Sequence, residues 1–144
     1  MTVDAQGVGS AIGVADEDHS DEMAYYGPHG GGTGGKHFDG GSAGYGAAWT
    51  VDDIIGVAFN ADDSAITFYK NGSGQGEITS AVDGSQTYFP FVWDGSGSPV
   101  ITGVVNFGQD SSFAGNETAQ GNQDGNGIGD FYYEPPSGFL ALCT

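Results

Sequence analysis

The stretch that decides the fold is Val51–Gly76, VDDIIGVAFNADDSAITFYKNGSGQG. It contains two apolar runs, Asp53–Phe59 and Ala65–Tyr69, which are rich in β-forming residues and are separated by an acidic turn. The second run leads into Asn71-Gly72, a dipeptide that accepts positive φ at both central positions of a type I′ hairpin turn. The sequence therefore predicts an antiparallel meander, and the rest of the chain is interpreted as its continuation.

Further short apolar runs separated by turn residues lie on both sides of this meander. The 144 residues include 28 glycines and show no apolar stripe with a 3.6-residue period, so helix is disfavoured. Such spacing of strands and turns is typical of an all-β, two-sheet antiparallel β-sandwich in a single domain, residues 1–144. The strands predicted outside the meander are Val8–Ala15, Met23–Tyr26, Thr87–Trp93, Val100–Phe107, Phe131–Tyr133 and Phe139–Leu142.

Two of the remaining segments carry more specific expectations. Pro90 lies inside the run Thr87–Trp93, which predicts an edge position or a bulge for that strand. Alternation along this run places Phe89, Phe91 and Trp93 on one side, and we expect that side to face the core. The segment 27–46 has few side chains that can bury surface, and it is predicted to be a long glycine-rich surface loop.

The charge balance excludes two classes of partner. The chain has 19 acidic residues, two lysines and no arginine, which gives a formal net charge of −17. Nucleic-acid binding draws much of its affinity from Lys and Arg that neutralise phosphates, and an anionic membrane surface repels an acidic chain. We therefore expect no nucleic-acid and no membrane partner, and we expect cations or cationic partners to associate.

The ends of the chain and its only cysteine add three further expectations. The N-terminal residues lack a basic region followed by an apolar segment, so no signal peptide is predicted. No run of about 18 apolar residues occurs, so no membrane-spanning segment is predicted. Cys143 is the only cysteine, which excludes a disulfide within the chain.

One polar segment has the spacing of a calcium loop. Asp124, Asn126 and Asp130 place oxygen ligands at relative positions 1, 3 and 7, and hard cations prefer such ligands. Ile128 at position 5 and Pro135 at position 12 depart from the pattern. Two interpretations stay open: a calcium-binding loop, or a glycine- and asparagine-rich turn without metal. No other cofactor is expected.

Other candidate residues are weaker. The acidic run 16–22 is either a solvated loop or a place where a cation gathers with help from elsewhere. The three histidines lack the close pairing of zinc ligands, and no serine lies in a GxSxG motif, so no enzymatic activity is predicted. Tyr25, Tyr26 and Tyr45 are candidates for a contact patch, because tyrosine combines an apolar body with a polar tip.

Four motifs in order resemble the SPRY domain family, also called B30.2 in its extended form. They are Asp53–Phe59, Ile66–Gly72 (ITFYKNG), Val105–Gln109 (VNFGQ) and Pro135–Phe139 (PPSGF). The resemblance implies a concanavalin-like jelly-roll sandwich with recognition loops at one end. An aromatic first strand, usual in that family, is missing, and Met1–Gln6 is too short and too polar to replace it. Two alternatives stay open: another segment takes the place of this strand, or the chain is one part of a larger protein.

The resemblance also divides the candidate residues into two groups. Its loops correspond here to segments 16–46 and 94–99, and the candidate binding residues in them are Asp16, Glu17, Asp18, Tyr25, Tyr26, His37, Tyr45 and Asp94. The residues of the motifs themselves are expected to be structural, and these are Phe68, Tyr69, Asn71, Gly72, Asn106, Phe107 and Gly108.

A narrower resemblance suggests a setting. Segments 104–116, 120–133 and 135–144 are similar to SPRY-type segments of structural proteins of marine bacteriophages and related environmental viruses. This implies a non-enzymatic virion surface component, such as a capsid decoration or a tail or fibre domain, whose partners are other subunits of a virion or extracellular assembly. Two alternatives stay open: an intracellular peptide-binding adaptor, and a lectin-like module that binds host-surface glycans.

Overall fold

The computed structural model describes residues 1–4, 9–17, 23–28, 33–38, 41–94 and 100–142. All regular secondary structure in these residues is β-strand. The strands are β1 (Ala11–Asp16), β2 (Met23–Pro28), β3 (Thr33–Phe38), β4 (Gly41–Ala47), β5 (Ile55–Asn60), β6 (Ala65–Lys70), β7 (Ser73–Ile78) and β8 (Tyr88–Trp93).

The strands form two antiparallel sheets, which confirms the predicted all-β, two-sheet architecture. One sheet has the order β4-β3-β2-β1-β8, and the other has the order β5-β6-β7. Large side chains from both sheets meet between them, and Tyr26, Trp49, Phe68, Ile55 and Ile66 are at most 1% exposed. Burial of these apolar surfaces against each other is what holds the two layers together.

The predicted meander is confirmed. Asn60 pairs with Ala65 across the first turn, and β6 continues into β7 through Asn71-Gly72. Asn71 has φ 49° and Gly72 has φ 78°, as the type I′ turn requires.

The first four residues extend the β5-β6-β7 sheet at the β5 edge. The amide of Val3 donates to the Asp53 carbonyl at 3.1 Å, and on its other side the amide of Thr2 donates to the Val104 carbonyl at 2.9 Å. Val3 is completely buried. Although the sequence of this segment is short and polar, its backbone bonds on both sides, and one apolar side chain anchors it in the core.

The segment 27–46 is not a long loop, so that prediction is wrong. Both β3 and β4 lie within it, and they pair next to β2. Gly34 shows why glycine occurs here: a Cβ at this position would collide with the Tyr26 ring and with the Tyr45 carbonyl oxygen. The glycine buries little surface of its own, but its small size lets the sheet pass close over a buried aromatic ring.

The strand β8 lies at an edge of its sheet, as Pro90 predicted. The expectation that Phe89, Phe91 and Trp93 face the core is wrong, because Phe89 is 50% and Trp93 is 54% exposed. On the other side of the strand, Tyr88 packs against Phe59 at a centroid distance of 5.3 Å, while Pro90 and Val92 are exposed. Alternation showed which side chains share a face but did not show which face is buried.

Residues 100–142 contain no strand, so the strands predicted at 100–107 and 139–142 are wrong. Only isolated pairing occurs, such as the bridge between Asn122 and Phe131, which confirms the brief pairing predicted at 131–133. Many backbone amides here bond to side chains of the same segment instead of to a neighbouring strand. The segment therefore acquires its shape from polar turns.

Candidate functional site

The motif that ends β6 builds a polar network under the hairpin turn. The Lys70 ammonium lies 3.1 Å from Asp53 Oδ2 and donates to the Ala48 carbonyl at 2.7 Å. The side-chain Nδ2 of Asn71 donates to Asp53 Oδ1 at 2.6 Å, and its Oδ1 accepts from the backbone amide of Ile54 at 2.8 Å. The Tyr-Lys-Asn-Gly sequence thus ties the turn to the start of β5.

Asp53 is the centre of this network, and its pKa reflects that position. Burial by itself raises the pKa of this carboxyl, but donors from Thr50, Asn71 and Lys70 hold the pKa below its usual value of 3.8. The carboxylate is 8% exposed. Its charge is matched by Lys70, and the network connects the hairpin turn to the start of β5.

In the third motif, Val105–Gln109, the side chain of Asn106 is the centre of a similar hydrogen-bond network. Its Oδ1 accepts hydrogen bonds from the amides of Gly108, Gln109 and Asp110 at 2.8 to 3.1 Å. Its Nδ2 donates to the Asp130 carbonyl at 2.8 Å. One asparagine therefore shapes the VNFGQ turn and attaches it to a segment more than twenty residues away.

The remaining motif residues differ in burial and in backbone conformation. Phe68 is completely buried and packs against Tyr26 with a centroid distance of 5.6 Å. Tyr69 is half-buried beside Gly56, and Gly108 has φ 109°, a value suited to glycine. Phe107 is 37% exposed.

The predicted calcium loop uses its first ligand for internal bonds. Asp124 Oδ1 accepts from the amides of Asn126 and Ile128, each at 2.9 Å, and Oδ2 accepts from the Ala141 amide at 2.9 Å. These donors, with Ala141 first, hold the pKa of Asp124 below its usual value. In the described part of the chain, no group of three or more His, Cys, Asp or Glu side chains is placed to hold a metal ion.

Two of the tyrosines chosen as contact residues belong to the core. Tyr26 is completely buried and Tyr45 is 8% exposed, so the expectation that they form a contact surface is wrong. Their hydroxyls donate to the carbonyls of Ala47 and Gly76. Burial raises the pKa of Tyr26 to about 12, and burial also raises the pKa of Tyr45.

The other candidate binding residues lie apart from one another. Asp16 ends β1 and is 9% exposed, and Glu17 follows it at the surface. Asp94 directly follows the last residue of β8, whereas Asp16 pairs with the first residue of that strand. The Asp94 carboxylate accepts a hydrogen bond from the Ile101 backbone amide at 3.3 Å. His37 pairs with Tyr25 on β3 and β2, and Asp18 lies outside the described residues.

The surface that sequence reasoning missed is the outward side of β8. We name Phe89, Phe91, Trp93 and the neighbouring Tyr25 the aromatic face. The Phe91 and Trp93 rings stack with centroids 6.0 Å apart, and Tyr25 lies 6.3 Å from Phe91. The sequence of β1 contains a hint of this surface, because its larger residues and its small residues lie on different sides of the strand. The small residues pair in register with the aromatic residues of β8: Ala11 with Trp93, Gly13 with Phe91 and Ala15 with Phe89.

With two antiparallel sheets and a polar network behind the β6–β7 turn, the chain is first of all a β-sandwich. A family model described as the SPRY domain matches residues 2–110. Because this is well over half of the 144 residues, the chain belongs to the SPRY domain family. The motif Pro135–Phe139 lies outside the matched range. The comparisons with curated proteins and with solved structures give no match.

Membership of this family makes protein interaction the general expectation, since SPRY domains are in general interaction modules without enzymatic activity. The described residues include no helix with the length and apolarity needed to cross a membrane.

Proposed function

We propose that this SPRY domain is a non-enzymatic binding module that contacts a partner protein through the aromatic face. The observation that carries the proposal is the exposure of Phe89 and Trp93, 50% and 54%, on a regular strand. Aromatic rings held on a sheet lose little conformational freedom on binding, and Trp is enriched among residues that dominate binding energy. The proposal replaces Tyr26 and Tyr45, which are buried, as contact residues and keeps Tyr25 as one.

The charges around the aromatic face indicate the chemistry of the partner. Asp94 follows β8 directly and is exposed next to Trp93. The whole chain carries a formal charge of −17. An apolar partner surface with a basic rim fits this arrangement, because opposite charges steer association while the desolvated centre supplies affinity.

The free edge of β8 favours contact through its face over the addition of a strand. The register from Ala11↔Trp93 to Asp16↔Tyr88 is unbroken through Pro90. Proline has no N–H, so it fits an edge strand when the missing donor faces away from the paired neighbour. An added strand would find no donor at that point, whereas the side-chain surface is unaffected.

The setting we propose is the surface of a virion, as a capsid decoration or a tail or fibre domain. Support comes from the resemblance of segments 104–116, 120–133 and 135–144 to SPRY-type segments of bacteriophage structural proteins. The acidic composition is consistent with a component exposed to a saline exterior.

Footprinting of assembled particles tests both parts of the proposal. Hydroxyl radicals label exposed side chains, and we expect Trp93 and Phe89 to lose reactivity on assembly while Leu140, 61% exposed, keeps it. A protein inventory of purified particles that lacks this chain rejects the virion setting. Unchanged labelling of Trp93 in the assembled state rejects the aromatic face as the contact.

Fluorescence gives a second measurement on the isolated domain. Trp93 is exposed and Trp49 is 1% exposed, so acrylamide should quench mainly Trp93. A bound partner should reduce that quenching, and the Trp93→Phe variant, which reports Trp49 alone, serves as the control. Binding to arrayed glycans that Trp93→Ala leaves unchanged would contradict the proposed protein-binding role.

A further inference from the structure

We infer that the chain holds a calcium ion, or a cation of the same hard class, where the end of β1 meets the start of β8. Four residues line this place: Asp16, Glu17, Gln86 and Thr87. They surround a cavity of about 140 Å³. The site is separate from the loop 124–130, whose spacing alone suggested calcium, and it is independent of the proposed protein contact.

Strand pairing brings the four residues together. Asp16 is the last residue of β1 and lies opposite Tyr88, the first residue of β8. Because the strands are antiparallel, Glu17 leaves β1 at the point where Gln86 and Thr87 approach β8. The pairing therefore places two acidic residues beside two neutral oxygen-bearing residues that lie about seventy positions further along the chain.

The surroundings of the Asp16 carboxylate favour a cation as its partner. Its side chain is 9% exposed, and its buried Oδ1 has no hydrogen-bond donor among the described residues. A buried carboxylate without a partner is costly and is normally paired, hydrogen-bonded or bound to a metal. The two lysines of the chain are placed elsewhere, Lys70 on Asp53 and Lys36 at 5.4 Å from the Tyr45 ring centroid.

The donor set selects the kind of cation. Two carboxylates, an amide carbonyl and a hydroxyl are all oxygen donors, and Ca²⁺ takes six to eight oxygens in flexible geometry with water filling the remaining positions. Without imidazole or thiolate donors among the four residues, zinc and copper are poorly matched. Mg²⁺ demands a near-ideal octahedron and gives up its water reluctantly, so it should bind more weakly.

Hydrogen bonds within residues 83–88 stabilise the segment that brings Gln86 to the site. The Asp83 amide donates to the Tyr88 hydroxyl at 3.0 Å, and Asp83 Oδ1 accepts from the Ser85 amide at 2.9 Å. The Gln86 amide donates to the Asp83 carbonyl at 3.2 Å. These bonds form a compact turn, so less ordering is needed when a cation binds.

Calcium titration of the full chain tests the inference. The probe is CaCl2 added to chelator-treated protein in about 150 mM salt, which screens diffuse attraction to the acidic surface. We expect one saturable binding event by calorimetry, and we expect Asp16→Asn to weaken it about tenfold or more, since even indirect metal partners contribute that much. Glu17→Gln should weaken it as well.

Two controls separate this site from general acidity. Asp62→Asn removes one charge from an exposed turn residue and should leave calcium binding unchanged. Asp130→Asn alters the loop whose spacing resembles a calcium motif and should also leave it unchanged. Equal loss in Asp62→Asn and Asp16→Asn would show diffuse binding and overturn the inference, and loss confined to Asp130→Asn would transfer the site to that loop.

Thermal unfolding provides a second readout, which measures the stability that bound calcium adds. In chelator, Asp16→Asn should unfold at the same or a higher temperature than the native chain, because it removes the negative charge next to a buried oxygen that has no donor among the described residues. In calcium the order should reverse, because only the native chain gains stability from the ion. A native unfolding temperature that calcium leaves unchanged would overturn the inference, and Glu17→Gln provides the same comparison if Asp16→Asn fails to fold.

Discussion

The meander β5-β6-β7 and the segment 105–131 achieve order in different ways. In the meander, consecutive strands exchange backbone hydrogen bonds, and buried side chains such as Phe68 and Ile66 fill the core. In the segment, side-chain oxygens of Asn106, Asp110 and Asp124 accept hydrogen bonds from nearby amides. Both regions form backbone hydrogen bonds, but the meander also contributes several side chains to the common apolar core, whereas the buried Phe113 of the second region lies outside that core cluster.

This difference between the two regions indicates which one stabilises the whole sandwich and which one mainly determines the shape of its own segment. Burial of apolar surface is cooperative across the whole sandwich, so damage to the meander should unfold the molecule. A polar turn is mostly a local structure, so damage to it should loosen a segment and leave the sheets intact. The mutations below are ordered by the size of the effect that this comparison predicts.

The largest effect is expected for Phe68→Ala in β6. Phe68 is completely buried among aromatic rings, so its removal leaves a cavity and should lower the free energy of unfolding by about 3–5 kcal/mol. Urea denaturation measures the change. Val57→Ala is the matched control, because Val57 lies opposite Phe68 in register but is 40% exposed. Equal losses for the two variants would contradict the assignment of Phe68 to the core.

Asp53→Ala should have the next largest effect. It leaves Lys70 without its ion pair and Asn71 without an acceptor, and we expect a loss of about 2–3 kcal/mol. Asp62→Ala, which removes an exposed charge from the turn before β6, should change stability by less than about 0.5 kcal/mol. Denaturant midpoints for the two variants give the comparison.

The same carboxylate predicts a pH dependence with a defined sign. The pKa of Asp53 is lower in the folded chain than its usual value of 3.8, so the folded state binds this proton less readily than the unfolded state. Its contribution is therefore complete above pH 3.8 and is lost as pH falls through the folded pKa. Unfolding curves of Asp53→Asn should show a shallower acid limb, and identical acid limbs would contradict this.

Asn106→Ala tests the polar segment and should have a smaller, local effect. It removes the acceptor of three backbone amides and should cost about 1–2 kcal/mol, since water can replace part of what is lost. Hydrogen exchange should speed up at residues 108–110 and stay unchanged in the meander. Asn116→Ala, which alters an exposed side chain, is the control. Faster exchange throughout β5–β7 would show that the two regions are coupled.

The smallest effect is expected for Gly72→Ala. At φ 78° a non-glycine residue is strained, and its Cβ would approach the Tyr133 ring at 2.8 Å, so we expect a loss of about 1 kcal/mol. Gly125→Ala is the control, since no heavy atom lies within 4 Å of its Cβ position. Thermal unfolding of both variants measures the difference, and no loss at position 72 would contradict the type I′ turn.

Prediction from sequence succeeded where the signal is local. The apolar run 53–59 and the Asn71-Gly72 turn are complete within a few residues, and the structure places the meander there. Prediction failed at Gly34, because glycine is needed there to avoid the ring of Tyr26, which lies on the neighbouring strand β2. It failed at residues 100–107 for a related reason, since the pairing of Thr102 and Val104 with residues 2–4 is short. The Val104 amide donates to the Thr2 hydroxyl oxygen, and the Val105 carbonyl accepts from the Gln109 side chain.

The candidate sites show the same limit. The acidic run beginning at Asp16 was visible in the sequence, but the contribution of Gln86 and Thr87 depends on the pairing of β1 with β8. The aromatic face was recognised as a set of residues on one side of a strand and was assigned to the wrong side of the sheet. In both cases the sequence showed residues that are near one another along the chain, and it did not show what surrounds them in the fold.

The sequence by itself determined the all-β class, the meander with its type I′ turn, the edge position that Pro90 requires and the strongly acidic charge. These properties follow from backbone preferences and composition, which act over a few residues or over the sum of all of them. Only the tertiary structure decided that Tyr26 and Tyr45 are buried, that Phe89 and Trp93 are exposed, and that Asp16 lies beside a cavity. The physical reason is that a strand offers two equivalent faces, and the choice between them is made by the large side chains of whichever strands pack on it.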